Sequence, residues 1–238
     1  MSRYPYTLDR DDPQKPPIGL IVLQTDETIE PDFKRYFADH PSPLYVSRIP
    51  SGQTVTHQSL SQMQTDLTAA ADLLPKGLSF PVIGYGCTSA SSVIGSVRIE
   101  KLVEGACDVD TVTNPLRATV AACAARGLSR IALLSPYIEE VNEPLRAAFA
   151  QNGVDMSVFG SFGEAEEAKV VRISTASVVD AAVKLGADPL VEGVFLSCTN
   201  LRTYDAIPAI EQALGKPVLS SNQALAWHMR HLVQNCVK

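Results

Sequence analysis

Two cysteines carry the strongest chemical signal in this chain. Cys87 stands in Gly84-Tyr85-Gly86-Cys87-Thr88-Ser89 and Cys198 in Phe195-Leu196-Ser197-Cys198-Thr199-Asn200. Each follows an apolar run that reads as a strand and precedes a small polar residue able to open a helix. A thiol at a helix N-terminus feels the positive end of the helix dipole, which lowers its pKa from about 8.5 toward neutrality. Unpaired backbone N–H groups point at the same space and can hold a carboxylate or a developing oxyanion. Thr88, Ser89, Thr199 and Asn200 add hydroxyl and amide donors. A single strand-end cysteine is as well read as a small buried hydrophobe. Two at equivalent positions, each with a polar follower, favour function.

The equivalence rests on an internal repeat. The cysteines are 111 residues apart, and the same shift carries Leu20-Ile21-Val22-Leu23-Gln24 onto Ile131-Ala132-Leu133-Leu134-Ser135. It also sets 46–49 beside 157–160. Two copies of one unit are implied. The shift makes Tyr137, after Leu134-Ser135-Pro136, the counterpart of Asp26 in Gln24-Thr25-Asp26-Glu27-Thr28. Tyr137 at a strand end can bond a substrate oxygen or pack over a loop. Asp26 can contact substrate or cap the following helix, the commoner use of Asp.

The elements that must position these residues alternate along the chain. Apolar runs at 18–24, 44–49, 80–85, 109–113, 131–135, 154–159, 191–197 and 217–219 read as strands. Helical patterns fall at 59–74, 116–126, 140–151, 176–185 and 207–214. Such alternation predicts an α/β fold with parallel sheets covered on both faces. Open α/β sheets bind ligands at the carboxyl ends of their strands. Two facing units would therefore bring both Cys-Thr loops to one cleft.

Composition narrows the chemistry. The 238 residues, 45% hydrophobic and 19% charged, suit two compact halves with a real core. The net charge is −6 and Lys and Arg do not cluster, which argues against a nucleic-acid partner. No apolar run approaches the roughly 20 residues of a membrane helix. Residues 1–17 are polar, unlike a signal peptide, and read as an arm. Five cysteines, an odd number, point to reduced thiols in the cytoplasm. Cys107, Cys123 and Cys236 are assigned structural roles. No C-x-x-C pair, phosphate loop, complete dinucleotide fingerprint or serine-hydrolase elbow occurs. His228 and His231 share a helix face without a carboxylate nearby, and His40 and His57 read as loop or surface residues. No metal and no cofactor is expected.

At these residues the chain resembles the aspartate/glutamate racemase superfamily, in its maleate cis-trans isomerase and arylmalonate decarboxylase branch. The supporting stretches are residues 19–30, Gly86-Cys87-Thr88-Ser89, Val112-Thr113-Asn114-Pro115, Pro136-Tyr137 with Glu140-Val141-Asn142, Val171-Arg172-Ile173-Ser174 and Ser197-Cys198-Thr199. The resemblance implies two Rossmann-like halves related by a pseudo-twofold axis, with the site between them. Residues 18–113 and 217–238 would form the first half, with a C-terminal helix at about 222–234, and 114–216 the second. It further implies that Cys87 and Cys198 are the catalytic thiols, and that Thr88, Ser89, Tyr137 and the backbone at Thr199 bind the reacting carboxylate. Arylmalonate decarboxylases usually have glycine at the position of Cys87, so two thiols point toward isomerases and racemases. Maleate isomerases carry asparagine where this chain has Asp26, and related sequences occur in ectoine utilisation. The expected partner is a small carboxylate, an amino-acid derivative or dicarboxylate. A decarboxylase of a malonate-type acid and a non-catalytic carboxylate-binding protein stand as alternatives, and homo-oligomer formation is left open.

Overall fold

The computed structural model describes residues 1–9 and 15–236. Residues 1–9 are exposed and without regular structure, and part of the arm expected at 1–17 lies outside the described residues. The strands are β1 (Ile18–Leu23), β2 (Leu44–Ile49), β3 (Ser79–Gly86), β4 (Asp108–Thr113), β5 (Ile131–Tyr137), β6 (Phe159–Glu164), β7 (Gly193–Leu196) and β8 (Val218–Ser220). The helices are α1 (Ile29–Tyr36), α2 (His57–Ala71), α3 (Thr88–Ile94), α4 (Ser96–Glu104), α5 (Pro115–Arg126), α6 (Glu139–Gln151), α7 (Glu167–Val170), α8 (Thr175–Gly186), α9 (Ile207–Leu214) and α10 (Ser221–Cys236).

Two four-stranded parallel sheets form, ordered β2-β1-β3-β4 and β6-β5-β7-β8. The identical order establishes the two-copy α/β architecture. Each central strand is apolar without alternation, as burial on both faces requires. All of Ile18–Leu23 and all of Ile131–Tyr137 are buried. In both sheets the chain direction across the sheet reverses beside the first strand of the copy. Such a switch point opens a crevice at the carboxyl ends of the strands. Cys87 follows β3 and Cys198 follows β7, so both thiols stand at these crevices.

The repeat is less regular than one shift. Ile18 pairs with Val82, and Gly193, the residue 111 after Val82, pairs with Ile131 where a uniform shift would put Ser129. The two-residue slip keeps every side chain on its face, because strand periodicity is two. The strand expected at 154–159 lies instead at Phe159–Glu164. Val154 and Met156 are buried in a loop packed under Phe149, and Asp155 Oδ1 holds that loop by accepting from the Ser157 N–H at 2.9 Å. As an edge strand rich in glycine, β6 has no alternation to announce it. The strand expected at 217–219 as part of the first half pairs with β7 in the second sheet. Only α10 crosses back: Leu225, Ala226, Met229 and Val233 join Ile18, Leu20 and Val22 in one apolar cluster. That return needs Gly84, whose Cβ would come within 2.6 Å of Met229 Sδ.

Candidate active site

Cys87 caps a true helix. Its Sγ accepts the Ala90 N–H at 3.4 Å at the start of α3. Gly86 before it has no room for a side chain, since a Cβ would lie 2.6 Å from Ile29 Cδ1 at the foot of α1. Cys198 differs from the expectation of a following helix. It adopts φ 102°, a left-handed conformation unusual outside glycine, and a turn follows it. Its N–H donates to Ser221 Oγ at 3.0 Å.

The two Cys-Thr segments meet through their threonines. Thr88 donates to Ser221 Oγ at 2.8 Å, the same oxygen that receives the Cys198 N–H, and Thr199 donates to the Gly86 carbonyl at 3.3 Å. Thr199 thus reaches the Cys87 segment directly, and Thr88 reaches the Cys198 segment through Ser221. Cys87, Cys198, Thr88, Ser89, Thr199 and Asn200 are all at most 5% exposed, so the cluster is closed to bulk water.

A residue missed at the sequence level completes the cluster. Tyr137 donates to Glu167 Oε1 at 2.6 Å and lies 2.9 Å from Cys198 Sγ. Asn200 donates through Nδ2 to Glu167 Oε2 at 2.7 Å and through its backbone N–H to Cys198 Sγ at 3.2 Å. The Asn200 side-chain Oδ1 in turn accepts the Glu27 N–H at 2.9 Å. Glu167 belongs to a stretch with Glu164 and Glu166 that reads as solvated charge, and Glu166 is indeed exposed. Glu167 is buried because residues 53–55 of the first half pair with 165–167, through the Val55 N–H to the Ala165 carbonyl and the Glu167 N–H to the Gln53 carbonyl. Only that tertiary pairing distinguishes it. Beside it lies a cavity of about 430 Å³ lined by Gln24, Thr25, Gln53, Thr54, Glu166 and Glu167.

Asp26 does what the commoner reading of Asp anticipates. Its Oδ1 accepts the Thr28 and Ile29 N–H groups, both at 2.8 Å, capping α1. Its Oδ2 is buried with no hydrogen bond of good geometry among the described residues, although the Thr199 hydroxyl lies near enough to favour its charged form. The electrostatics overturn the expectation of acidic thiols. Burial pushes the Cys87 thiol up to about 12, and the Ala90 N–H at the helix end opposes this without prevailing. Burial likewise pushes Cys198 well above the ordinary thiol value, and Glu167 adds to the rise. The carboxyl groups of Asp26 and Glu167 are themselves raised, chiefly by burial. Removing a proton here to solvent would leave an anion in a desolvated, already acidic cluster.

Other candidate residues are occupied elsewhere. His228 bonds Thr113 Oγ1 at 2.8 Å and burial lowers its pKa to about 4, while the His231 ring stacks on Trp227. Cys107 donates to the Ala71 carbonyl, Cys123 is buried in α5, and the Cys236 side chain lies outside the described residues. Among the described residues no helix is long and apolar enough to cross a membrane.

Comparison with known proteins matches residues 18–237 to the arylmalonate decarboxylase family model. An arylmalonate decarboxylase of Bordetella bronchiseptica is 31% identical over 223 residues, 89% of this chain and 88% of that protein. A maleate isomerase of Nocardia farcinica is 25% identical over 224 residues, 88% of this chain and 87% of that one. A solved, doubly substituted arylmalonate decarboxylase in liganded form superposes with a TM-score of 0.81 at 30% identity, covering 92% of this chain and 93% of its own.

Proposed function

Because the chain belongs to the arylmalonate decarboxylase family, we propose that it is a cofactor-independent racemase or isomerase of a small carboxylate, worked by two opposed thiols. The observation that carries this reading is the joining of two Cys-Thr segments at equivalent strand ends, directly through Thr199 and through the shared Ser221 hydroxyl. A decarboxylation needs one proton donor, whereas inversion at carbon needs a thiol on each face. In a racemase, one cysteine as thiolate removes the α-proton and the other, as thiol, delivers a proton from the opposite side. In a cis-trans isomerase, one thiolate adds to the double bond, permits rotation and leaves. Both require sulfurs roughly 7 Å apart, twice a near-attack distance.

Thr88, Ser89, Tyr137 and the Thr199 backbone supply donors for the reacting carboxylate, each worth about 3–4 kcal/mol in a comparable oxyanion hole. Tyr137 has one hydroxyl proton, so donating it to substrate means releasing Glu167. Asp26 Oδ2 marks the opposite end of the substrate. An ionised Asp there can only accept hydrogen bonds, which favours an ammonium or amide N–H over a second carboxylate.

Decarboxylation is the second reading, favoured by the name of the 31% identical relative. It would release CO₂ and protonate the enediolate from Cys198. Incubation with amino acids, N-acyl amino acids, diacids and malonates in D₂O, read by NMR, separates the two. The proposal expects deuterium at an α-carbon with both enantiomers formed, or a cis-trans product. Release of CO₂ from a malonate, with no exchange or isomerisation of any other compound, would establish the decarboxylase instead.

A further inference from the structure

We propose that Cys198, Tyr137 and Glu167 share one mobile proton, so that Cys198 loses and regains its proton by internal transfer to Glu167 instead of exchange with solvent. This rests on the two-thiol reading only in making Cys198 a reacting group, and it holds whichever reaction follows. Glu167 acts through Tyr137 and is a positioning residue.

The hydrogen bonds are arranged for such a transfer. Sγ lies 2.9 Å from the Tyr137 hydroxyl, and that hydroxyl lies 2.6 Å from Glu167 Oε1. Tyr137 has one proton, which Glu167 receives, so a protonated Cys198 donates to the tyrosine oxygen. Transfer breaks the S–H bond as the proton passes to the tyrosine oxygen, and breaks the tyrosine O–H bond as its proton passes to Oε1. The products are a thiolate and a neutral carboxylic acid. The thiolate then accepts from the Tyr137 hydroxyl and the Asn200 N–H, while Glu167 Oε2 keeps the Asn200 amide. No atom is gained or lost, and the cluster retains one negative charge.

Charge conservation is the physical reason to prefer this route. Releasing the Cys198 proton to solvent would leave thiolate beside carboxylate, two anions in a cluster at most 5% exposed. Internal transfer moves the existing charge by the length of one tyrosine hydroxyl bridge. Burial raises the affinity of Glu167 for a proton, as it does that of Cys198, so both groups hold the shared proton against release to solvent. Other titratable groups facing the cluster are Asp26, from the loop after β1, and Cys87, from the end of β3. On the solvent side Glu166 pairs with Lys169 and Glu27 with Arg172, so neither cation is directed at Glu167. Cys87 has no such relay: the Ala90 N–H is the hydrogen bond described at its sulfur.

The test is the reactivity of each thiol toward methyl methanethiosulfonate, read by peptide mass spectrometry at reagent concentrations where the rate is proportional to reagent. Two groups sharing one proton give a pH-independent thiolate fraction above the acid's titration, whereas an isolated thiol gains about tenfold per pH unit. Cys198 in the wild type should therefore be flat from about pH 7 to about pH 9, and in Glu167→Gln should rise about a hundredfold over that range. Tyr137→Phe, which keeps Glu167 and removes the bridge, should lower the Cys198 plateau at least about tenfold. Cys87 should keep its slope in both variants, which reports an intact fold. A wild-type Cys198 rate that climbs tenfold per pH unit, or a profile unchanged in Glu167→Gln, overturns the shared proton. Neither result bears on whether deuterium enters a substrate.

Discussion

The thiol of the first half and the thiol of the second share a sequence signature and almost nothing of their surroundings. Cys87 lies in ordinary extended backbone at the head of α3 and is served by backbone N–H groups. Cys198 sits at φ 102°, where an L-residue costs on the order of 1–3 kcal/mol, and its sulfur meets Tyr137 and Asn200. The left-handed turn carries the chain away from helix and returns the Asn200 N–H to the sulfur. One half thus holds its thiol with main chain, and the other with a side-chain network anchored by Glu167. Duplication supplies two thiols at matched strand ends; divergence around them supplies unequal hydrogen-bond partners. Unequal partners give the two thiols different routes for gaining and losing a proton, although burial raises the proton affinity of both.

The most direct way to break the symmetry of roles is to remove each sulfur. Cys87→Ala and Cys198→Ala should each lower turnover at least about a thousandfold with the fold retained, whereas Cys107→Ala and Cys123→Ala should leave it nearly intact. Decarboxylation surviving in Cys87→Ala but not in Cys198→Ala would mean that only the second half performs the chemistry. Circular dichroism on each variant separates lost chemistry from lost structure.

A smaller effect is expected where the halves differ in the residue after their first strand, Asp26 in one and Tyr137 in the other. Asp26→Asn keeps an oxygen for the α1 cap and replaces a charge that would repel a second carboxylate by up to about 4 kcal/mol at 4 Å and an effective dielectric near 20. The ratio of kcat/KM for maleate to that for an N-acyl amino acid should rise about tenfold or more. An unchanged ratio would show that Asp26 serves α1 alone.

The last effect, on stability and not on turnover, concerns the acid beneath the Cys198 turn. Asp32 on α1 accepts from Asn222, which also bonds the Thr199 carbonyl, so it ties the first half to the second thiol's loop. Burial raises its pKa to about 6 from an ordinary value of 3.8. The folded protein binds this proton more tightly than the unfolded chain, so stability falls as pH rises from about 4 through about 6. Asp32→Asn should remove that fall and add on the order of 2 kcal/mol at pH 7, measured by urea denaturation at the two ends of the window. An equal loss of stability at both pH values would show that Asp32 acts as a structural acceptor whose charge is unimportant.

The chain's own pattern was enough to place most of the frame. Near-continuous apolar runs at β1, β3 and β5 can only be strands buried on both faces, and the Cys-Thr pairs after two matched strands located the thiols. Asn114 before Pro115 marks the start of α5, where its side chain accepts the Arg117 N–H at 3.0 Å. Helix α4 was not legible, and α1 and α3 were anticipated only at their starts, after Asp26 and Cys87, because a Ser-rich segment like 88–94 is helical through its cap and its burial and not through periodicity.

What only the tertiary structure decided is the environment of the two thiols. Glu167 became part of the cluster because a loop of the opposite half buries it, and nothing in its neighbours Glu164 and Glu166 separates it from solvated charge. The thiols' proton affinities moved opposite to the local expectation for the same reason. A helix end acts over one turn and is visible in sequence, whereas desolvation is the sum of everything packed around a group. That sum exists only once distant segments have met.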